Sequence, residues 1–210
     1  PKLLELKYQH NAWLLVDEAH SFGVLGKQGR GISDHFGEDP NDIDLIVGTL
    51  SKALVSCGGF LCARQEIIDW LRFTLSGFVY SVGLSPVITA TAHAALDIIA
   101  AEPELPEQLR VVSEMFLAKA RAAGLNTGPA IGRAVVPVMF GDLRSTMLAS
   151  QELLKKDIYA PPIVHIGVPK DLPRIRFFLS SRHREADIDN AIAVLKEQDF
   201  QAAPAIESVF

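Results

Sequence analysis

Cysteine is scarce in this chain: Cys57 and Cys62 are the only two in 210 residues. Their spacing matches no metal motif and no His/Cys cluster accompanies them, so neither a disulfide framework nor a zinc site is encoded. Both fall in a stretch that reads as a buried strand and are expected to be reduced core thiols of a cytoplasmic protein. Long hydrophobic runs are missing too. Charged or polar residues interrupt every apolar stretch within about ten residues, which argues against a transmembrane helix, and no signal-peptide pattern is visible. Like charges never accumulate and the formal net charge is −5, which argues against nucleic acid or an anionic membrane as the main partner. There is no internal repeat and no low-complexity segment. An initiating Met is also lacking. The chain opens at Pro1-Lys2 inside a helical pattern (Leu3, Leu4, Leu6) that runs straight into a strand, as expected of the rear part of a longer protein.

What is present is apolar: 49% of the residues are hydrophobic, enough for a sizeable core in one or two domains. Two stretches share one grammar. Residues 12 to 16 make an apolar strand that ends at Asp17, followed by Glu18-Ala19-His20-Ser21. Residues 44 to 47 make a second strand, running into Gly48-Thr49-Leu50-Ser51-Lys52-Ala53. Open α/β sheets bind ligands outside the carboxyl ends of their strands, so Asp17, His20 and Lys52 are expected at one edge of one parallel sheet. Taken singly, Lys52 reads as a surface lysine after a strand and Asp17 as a loop cap. Together, an acid, a histidine and a lysine at neighbouring strand ends are what pyridoxal phosphate chemistry needs: an amine for a Schiff base, an acid to keep the pyridine nitrogen protonated, and a donor near the phenolic oxygen.

The remaining pattern fills in around these. Residues 2 to 9 read as a helix. Four glycines within Gly23 to Gly31 mean tight turns and close backbone approach, either in an ordinary surface loop or beside the site. Asp39-Pro40-Asn41-Asp42 is a turn signal. Ser56 to Ala63 reads as the next strand, 64 to 74 as a helix, and 86 to 101 as a long helix with Pro86 in its first turn. Glu102-Pro103-Glu104-Leu105-Pro106 reads as a linker, dividing a first domain, 1–104, from a second, 105–210. The second domain is expected to hold a helix from about 107 to 123 ending at Gly124, a strand at 134–140, and a helix at 143–156 with Leu148, Leu153 and Leu154 inward. An extended segment at 161–165, a strand at 174–179 and a helix at 185–197 follow. The tail from Gln201 to Phe210 is expected to be disordered.

The combination Asp17-Glu-Ala-His-Ser-x-Gly23, Gly29-Arg-Gly31, Gly48-Thr-Leu-Ser-Lys-Ala53 and Gly58-Gly-Phe60 resembles the α-oxoamine synthase family of fold-type I pyridoxal phosphate enzymes, from about Leu14 to Leu195. The resemblance implies an α/β fold with part of a large parallel-sheet domain and a small C-terminal α/β domain. It implies decarboxylative condensation of an amino acid with an acyl-CoA or carrier-bound acyl thioester. Lys52 would carry the cofactor, Asp17 would pair with the pyridine nitrogen, and His20 would bond the phenolic oxygen. Thr49, and more weakly Ser51, would hold the phosphate, with Ser81 reaching the phosphate of a second subunit in a homodimer. In the Arg174-Ile-Arg176 match, Arg176 would bind the substrate carboxylate, although two arginines on one strand face also suit solvent. The sequence departs from the pattern at Val55, where many members have glycine, and at Arg182 and Arg184 around His183. Such enzymes are about twice this length, in two domains, and the missing half would supply the ring-stacking aromatic. Transamination on the same fold, and a non-catalytic subunit, are the competing readings.

Overall fold

In the computed structural model, which describes residues 1–165, 167–169 and 171–197, helix α1 (Lys2–His10) ends at Asn11 in the left-handed conformation, with φ 47°. The chain then enters β1 (Leu15–Asp17). The Asp44 carboxylate accepts from the Leu14 N–H at 2.8 Å and pairs with Lys7 at 3.1 Å. These contacts hold the Asp44 carboxyl below its usual range, the Leu14 bond first among the causes, and fix where β1 begins. A short helix, α2 (Ile32–Phe36), follows the glycine-rich loop. At the turn signal, the Asp39 side chain accepts from the Asn41 N–H at 2.9 Å and leads into β2 (Leu45–Thr49) and β3 (Gly59–Ala63).

β1 and β2 are parallel, with Asp17 opposite Val47. β3 is antiparallel to β2, within a first domain that the resemblance implies to be part of a parallel sheet. The connection from Leu50 to Gly58 is too short for a parallel crossover, which takes a dozen or more residues. Among the described residues β3 lies at one end of the order β1-β2-β3, and both cysteines are exposed free thiols, correcting the expectation that they lie in the core. Helices α3 (Gln65–Thr74), α4 (Ser76–Val79) and α5 (Pro86–Ala101) complete this unit. Its core is small: Leu50, Leu54 and Ala92 are buried, with Phe22, Phe60 and Ile99 packed against them.

The chain divides into two compact units, Pro1–Glu107 and Gln108 onward. Helix α6 (Glu104–Ala122) runs through the division, beginning earlier than the expected position near 107. Pro106 occupies its first turn, where backbone N–H groups have no helical partner to lose. In the second unit β4 (Val135–Met139), α7 (Leu143–Lys155), β5 (Pro162–Ile163), β6 (Arg174–Phe178) and α8 (Glu185–Glu197) build an antiparallel sheet of order β4-β6-β5, with helices against it. Val136, Val138 and Ile175 from the strands meet Phe116 and Leu153 from α6 and α7. Each such side chain contributes about 1.5–3 kcal/mol on burial. The inward face of α7 is Thr146, Ala149 and Leu153, while Leu148 and Leu154 are exposed. Thr146 sits inside because its hydroxyl donates to the Asp142 carbonyl at 2.8 Å. The tail from Gln201 lies outside the described residues.

Candidate active site

The parallel pairing of β1 with β2 brings Asp17 and the Thr49–Lys52 segment to one edge of the first unit. The segment is anchored from both sides of its lysine. Leu50 and Leu54 point into the small core, Leu54 only 2% exposed, while Ser51 and Lys52 face outward. Three backbone bonds close the loop: Leu50 N–H to Gly58 O at 2.9 Å, Val55 N–H to Lys52 O at 3.0 Å and Ser56 N–H to Leu50 O at 2.8 Å. The Ser56 hydroxyl donates to the Ile88 carbonyl at 2.7 Å and ties the loop to α5. Lys52 thus sits exposed on a turn whose backbone is fixed by hydrogen bonds and buried leucines on either side.

Thr49 Oγ1 and Ser51 Oγ lie 2.7 Å apart, and the Ser51 N–H donates to Thr49 Oγ1 at 3.2 Å. Thr49 Oγ1 also donates to the Gly58 carbonyl at 3.2 Å, so the two hydroxyls and the N–H are bonded within the loop, three residues or fewer from Lys52. Asp17 is exposed at the end of β1; its Oδ1 accepts from the Ala19 N–H at 2.8 Å, which turns the chain toward His20, itself exposed.

Val55 departs from the usual backbone. It is a β-branched residue at φ 49° and 74% exposed, in the left-handed region that costs an L-residue about 1–2 kcal/mol. The neighbouring glycines are required by contact. A Cβ on Gly48 would stand 2.5 Å from the Phe60 ring, its partner across the sheet, and one on Gly23 would stand 2.4 Å from the Ala53 Cβ.

Ser81 follows α4; its hydroxyl donates to the Phe78 carbonyl at 3.2 Å, and its neighbours Tyr80 and Val82 are almost wholly exposed. Arg176 belongs to the second unit. It shares a face of β6 with Arg174, opposite the buried Ile175 and Phe177. Arg174 donates through Nε to the Leu172 carbonyl at 3.1 Å. Burial, then the charge of Arg176, holds the Arg174 guanidinium below its ordinary value. His183 closes a turn, with Nδ1 accepting from the Ser180 N–H at 3.0 Å.

One buried carboxylate escapes the sequence reading. Glu18, beside Asp17, is buried at 3% exposure and holds the start of α2 through hydrogen bonds from the Ile32 N–H. The available signal was the Gly31-Ile32 step, where a helix starts with no capping side chain of its own. Two concavities of about 620 and 540 Å³, beside Phe177 and Tyr159 in one unit and beside Phe22 and Ile99 in the other, include none of the residues proposed from sequence. Among the described residues no cluster of His, Cys, Asp or Glu is arranged to hold a metal, and no helix is long and apolar enough to cross a membrane.

The family model for aminotransferase class I and II matches residues 1–195. The chain is 36% identical over 195 residues to a serine palmitoyltransferase of Bacteroides ovatus, covering 93% of this chain and 49% of that one. It is 37% identical over 192 residues to an 8-amino-7-oxononanoate synthase of Thermosipho melanesiensis, covering 91% and 49%. A solved serine palmitoyltransferase with its pyridoxal phosphate internal aldimine superposes with a TM-score of 0.86 at 25% identity, over 93% of this chain and 49% of that one. An 8-amino-7-oxononanoate synthase from Francisella tularensis superposes at 0.80, with 23% identity over 92% of this chain and 57% of that one, and attests the fold alone. The chain thus spans about half the length of the curated relatives it matches.

Proposed function

Since the chain belongs to the aminotransferase class I and II family, we propose that it forms part of an α-oxoamine synthase, condensing an amino acid with an acyl-CoA or carrier-bound acyl thioester and releasing CO2. The observation that carries this reading is the Lys52 segment: an outward lysine on a turn pinned by two buried leucines, beside paired hydroxyls and at the same sheet edge as Asp17. The fold is that of the fold-type I pyridoxal phosphate enzymes. The residues present fit that cofactor. The Lys52 amine would hold its aldehyde carbon, the Asp17 carboxylate its ring nitrogen and His20 its phenolic oxygen. Thr49 and Ser51 would take the phosphate.

When bound, pyridoxal phosphate supplies an electron sink for negative charge developing at the amino acid's Cα. The Lys52 amine would be placed to accept the α-proton. The Asp17 carboxylate would pair with the ring nitrogen and keep its proton in place. Arg176 presents a fork that matches the substrate carboxylate, and Arg174, engaged with a backbone carbonyl, is the lesser candidate.

The first unit is read as the cofactor-binding domain and the second as the small C-terminal domain. The enzyme is read as a homodimer in which Ser81, between two exposed apolar neighbours, reaches the partner's phosphate site. Its two unpaired, exposed thiols fit a reducing compartment, the cytoplasm. The test is borohydride reduction of the full-length protein with pyridoxal phosphate, followed by peptide mapping, and then assay of free thiol from acyl-CoA and amino acid. The expected result is label on Lys52 and thiol release that needs both substrates. Label elsewhere, or amino-group exchange without thiol, overturns the reading.

A further inference from the structure

Glu18 has a built environment that the proposed chemistry does not use. Its backbone N–H continues the β1–β2 pairing, donating to the Val47 carbonyl at 2.7 Å. Its two carboxylate oxygens accept from the Ile32 N–H at 2.9 and 3.1 Å, and the Ser21 hydroxyl donates to Oε2. The carboxylate fills the place where a side chain on Gly31 would be: a Cβ there would stand 2.5 Å from Oε2. The loop between these points is closed on itself. Phe22 bridges Arg30, the Gly23 N–H donates to the Gly29 carbonyl at 2.7 Å, and the Gly31 N–H donates to the Leu25 carbonyl at 3.0 Å. At its far side Gly23 abuts Ala53, the residue after Lys52. Contacts therefore run unbroken from the Glu18 carboxylate through the glycine-rich loop to the lysine segment.

We infer that Glu18 is a positioning residue of the cofactor site: its buried carboxylate holds the glycine-rich loop, and through it sets the Lys52 segment against the edge carrying Asp17 and His20. This rests on the pyridoxal phosphate reading above. The glycine-rich loop is then a spacer rather than a phosphate cradle, which accounts for a Cβ being excluded at Gly31 and Gly23 on two opposite sides. A residue that acts through packing in this way affects cofactor affinity and electronics without touching the cofactor.

The experiment uses the full-length protein and pyridoxal phosphate, with E18A, E18Q and G31A compared by cofactor titration and by the pH midpoint of the bound cofactor's visible absorbance. E18A is expected to weaken cofactor affinity by about tenfold or more, as displaced site geometry does, and to move the pH midpoint. E18Q, whose amide oxygen still accepts from the Ile32 N–H, is expected to restore both nearly to wild type. Should E18A fail to fold, G31A decides, since it keeps the carboxylate but forces it from its seat; the same loss and shift are expected. An E18A or G31A protein that melts earlier yet keeps wild-type affinity and midpoint shows a purely structural role and overturns the assignment. Wild-type protein that takes up no cofactor overturns the functional reading and this inference with it, whereas wild-type uptake with unchanged variants overturns this inference alone.

Discussion

The Cβ that Gly23 lacks would stand 2.4 Å from the Cβ of Ala53, the neighbour of Lys52. Gly23 also has φ 77°. Gly23→Ala therefore adds a left-handed alanine and a steric overlap, together about 2 kcal/mol or more of destabilisation. Gly37 is the control: its φ is 71°, and a Cβ there meets nothing within 4 Å. Gly37→Ala is expected to cost only the conformational part, about 1 kcal/mol. Denaturant midpoints measure both. Equal costs would show that the Gly23–Ala53 contact relaxes freely.

The two basic residues of β6 separate by what holds them. Arg174 is tied to the Leu172 carbonyl, while the Arg176 guanidinium has no hydrogen-bond or ion-pair partner among the described residues. Losing a charge-assisted contact to a carboxylate costs on the order of 2–5 kcal/mol in binding. Arg176→Ala is expected to raise the KM for the amino acid strongly and leave that for the acyl thioester nearly unchanged. Arg174→Ala is expected to act on stability more than on KM. The reverse pattern in steady-state kinetics would assign the carboxylate to Arg174.

Much of this arrangement is legible in the sequence because local chemistry dictates it. Pro86 preceded by Ser85 starts α5 where expected, with the Ser85 hydroxyl accepting from the Ile88 N–H at 3.4 Å. The two apolar strands that end in polar residues put Asp17 and the Lys52 segment at one edge through the parallel β1–β2 register. What escaped depends on partners distant in sequence or on polar groups satisfied inside. Glu18 reads as exposed by residue type, and only the Ile32 N–H and the Ser21 hydroxyl make its burial possible. Thr146 displaces the expected Leu148 and Leu154 from the inward face of α7 because its hydroxyl is bonded within the helix. The direction of β3 follows from the length of a connection and not from the strand's own composition.

A pH signature belongs to the start of α8. Asp187 accepts from the Arg184 guanidinium at 2.8 and 3.1 Å and from its backbone N–H at 2.9 Å. The side-chain bonds from Arg184 lead the causes that lower its carboxyl from 3.8 to about 2. A carboxyl depressed on folding contributes stability above its unfolded value and loses it as pH falls through its folded value. The melting-temperature gap between wild type and Asp187→Asn is therefore expected to be full above about pH 4 and to shrink steadily toward pH 2. A gap constant across that range would show that the Arg184 pairing does not contribute through charge.

Val55 offers the last test, because its backbone and its side chain make opposite demands. At φ 49° a β-branched residue is strained by about 1–2 kcal/mol, whereas glycine adopts that conformation freely at an unfolded-state entropy cost of about 0.5–1 kcal/mol. The Val55 side chain is exposed, so its removal forfeits little packing. Val55→Gly is thus expected to leave stability unchanged or raise it by up to about 1 kcal/mol, read as a shift in denaturant midpoint. Its N–H bonds the Lys52 carbonyl at 3.0 Å, which places Val55 one turn after the lysine proposed to be reactive. If it narrows the approach to that amine, the same variant is expected to improve kcat/KM for bulkier amino acids relative to glycine. A variant that loses stability shows that the valine makes compensating contacts. One that gains stability with unaltered substrate preference shows that the strain has no bearing on substrate choice.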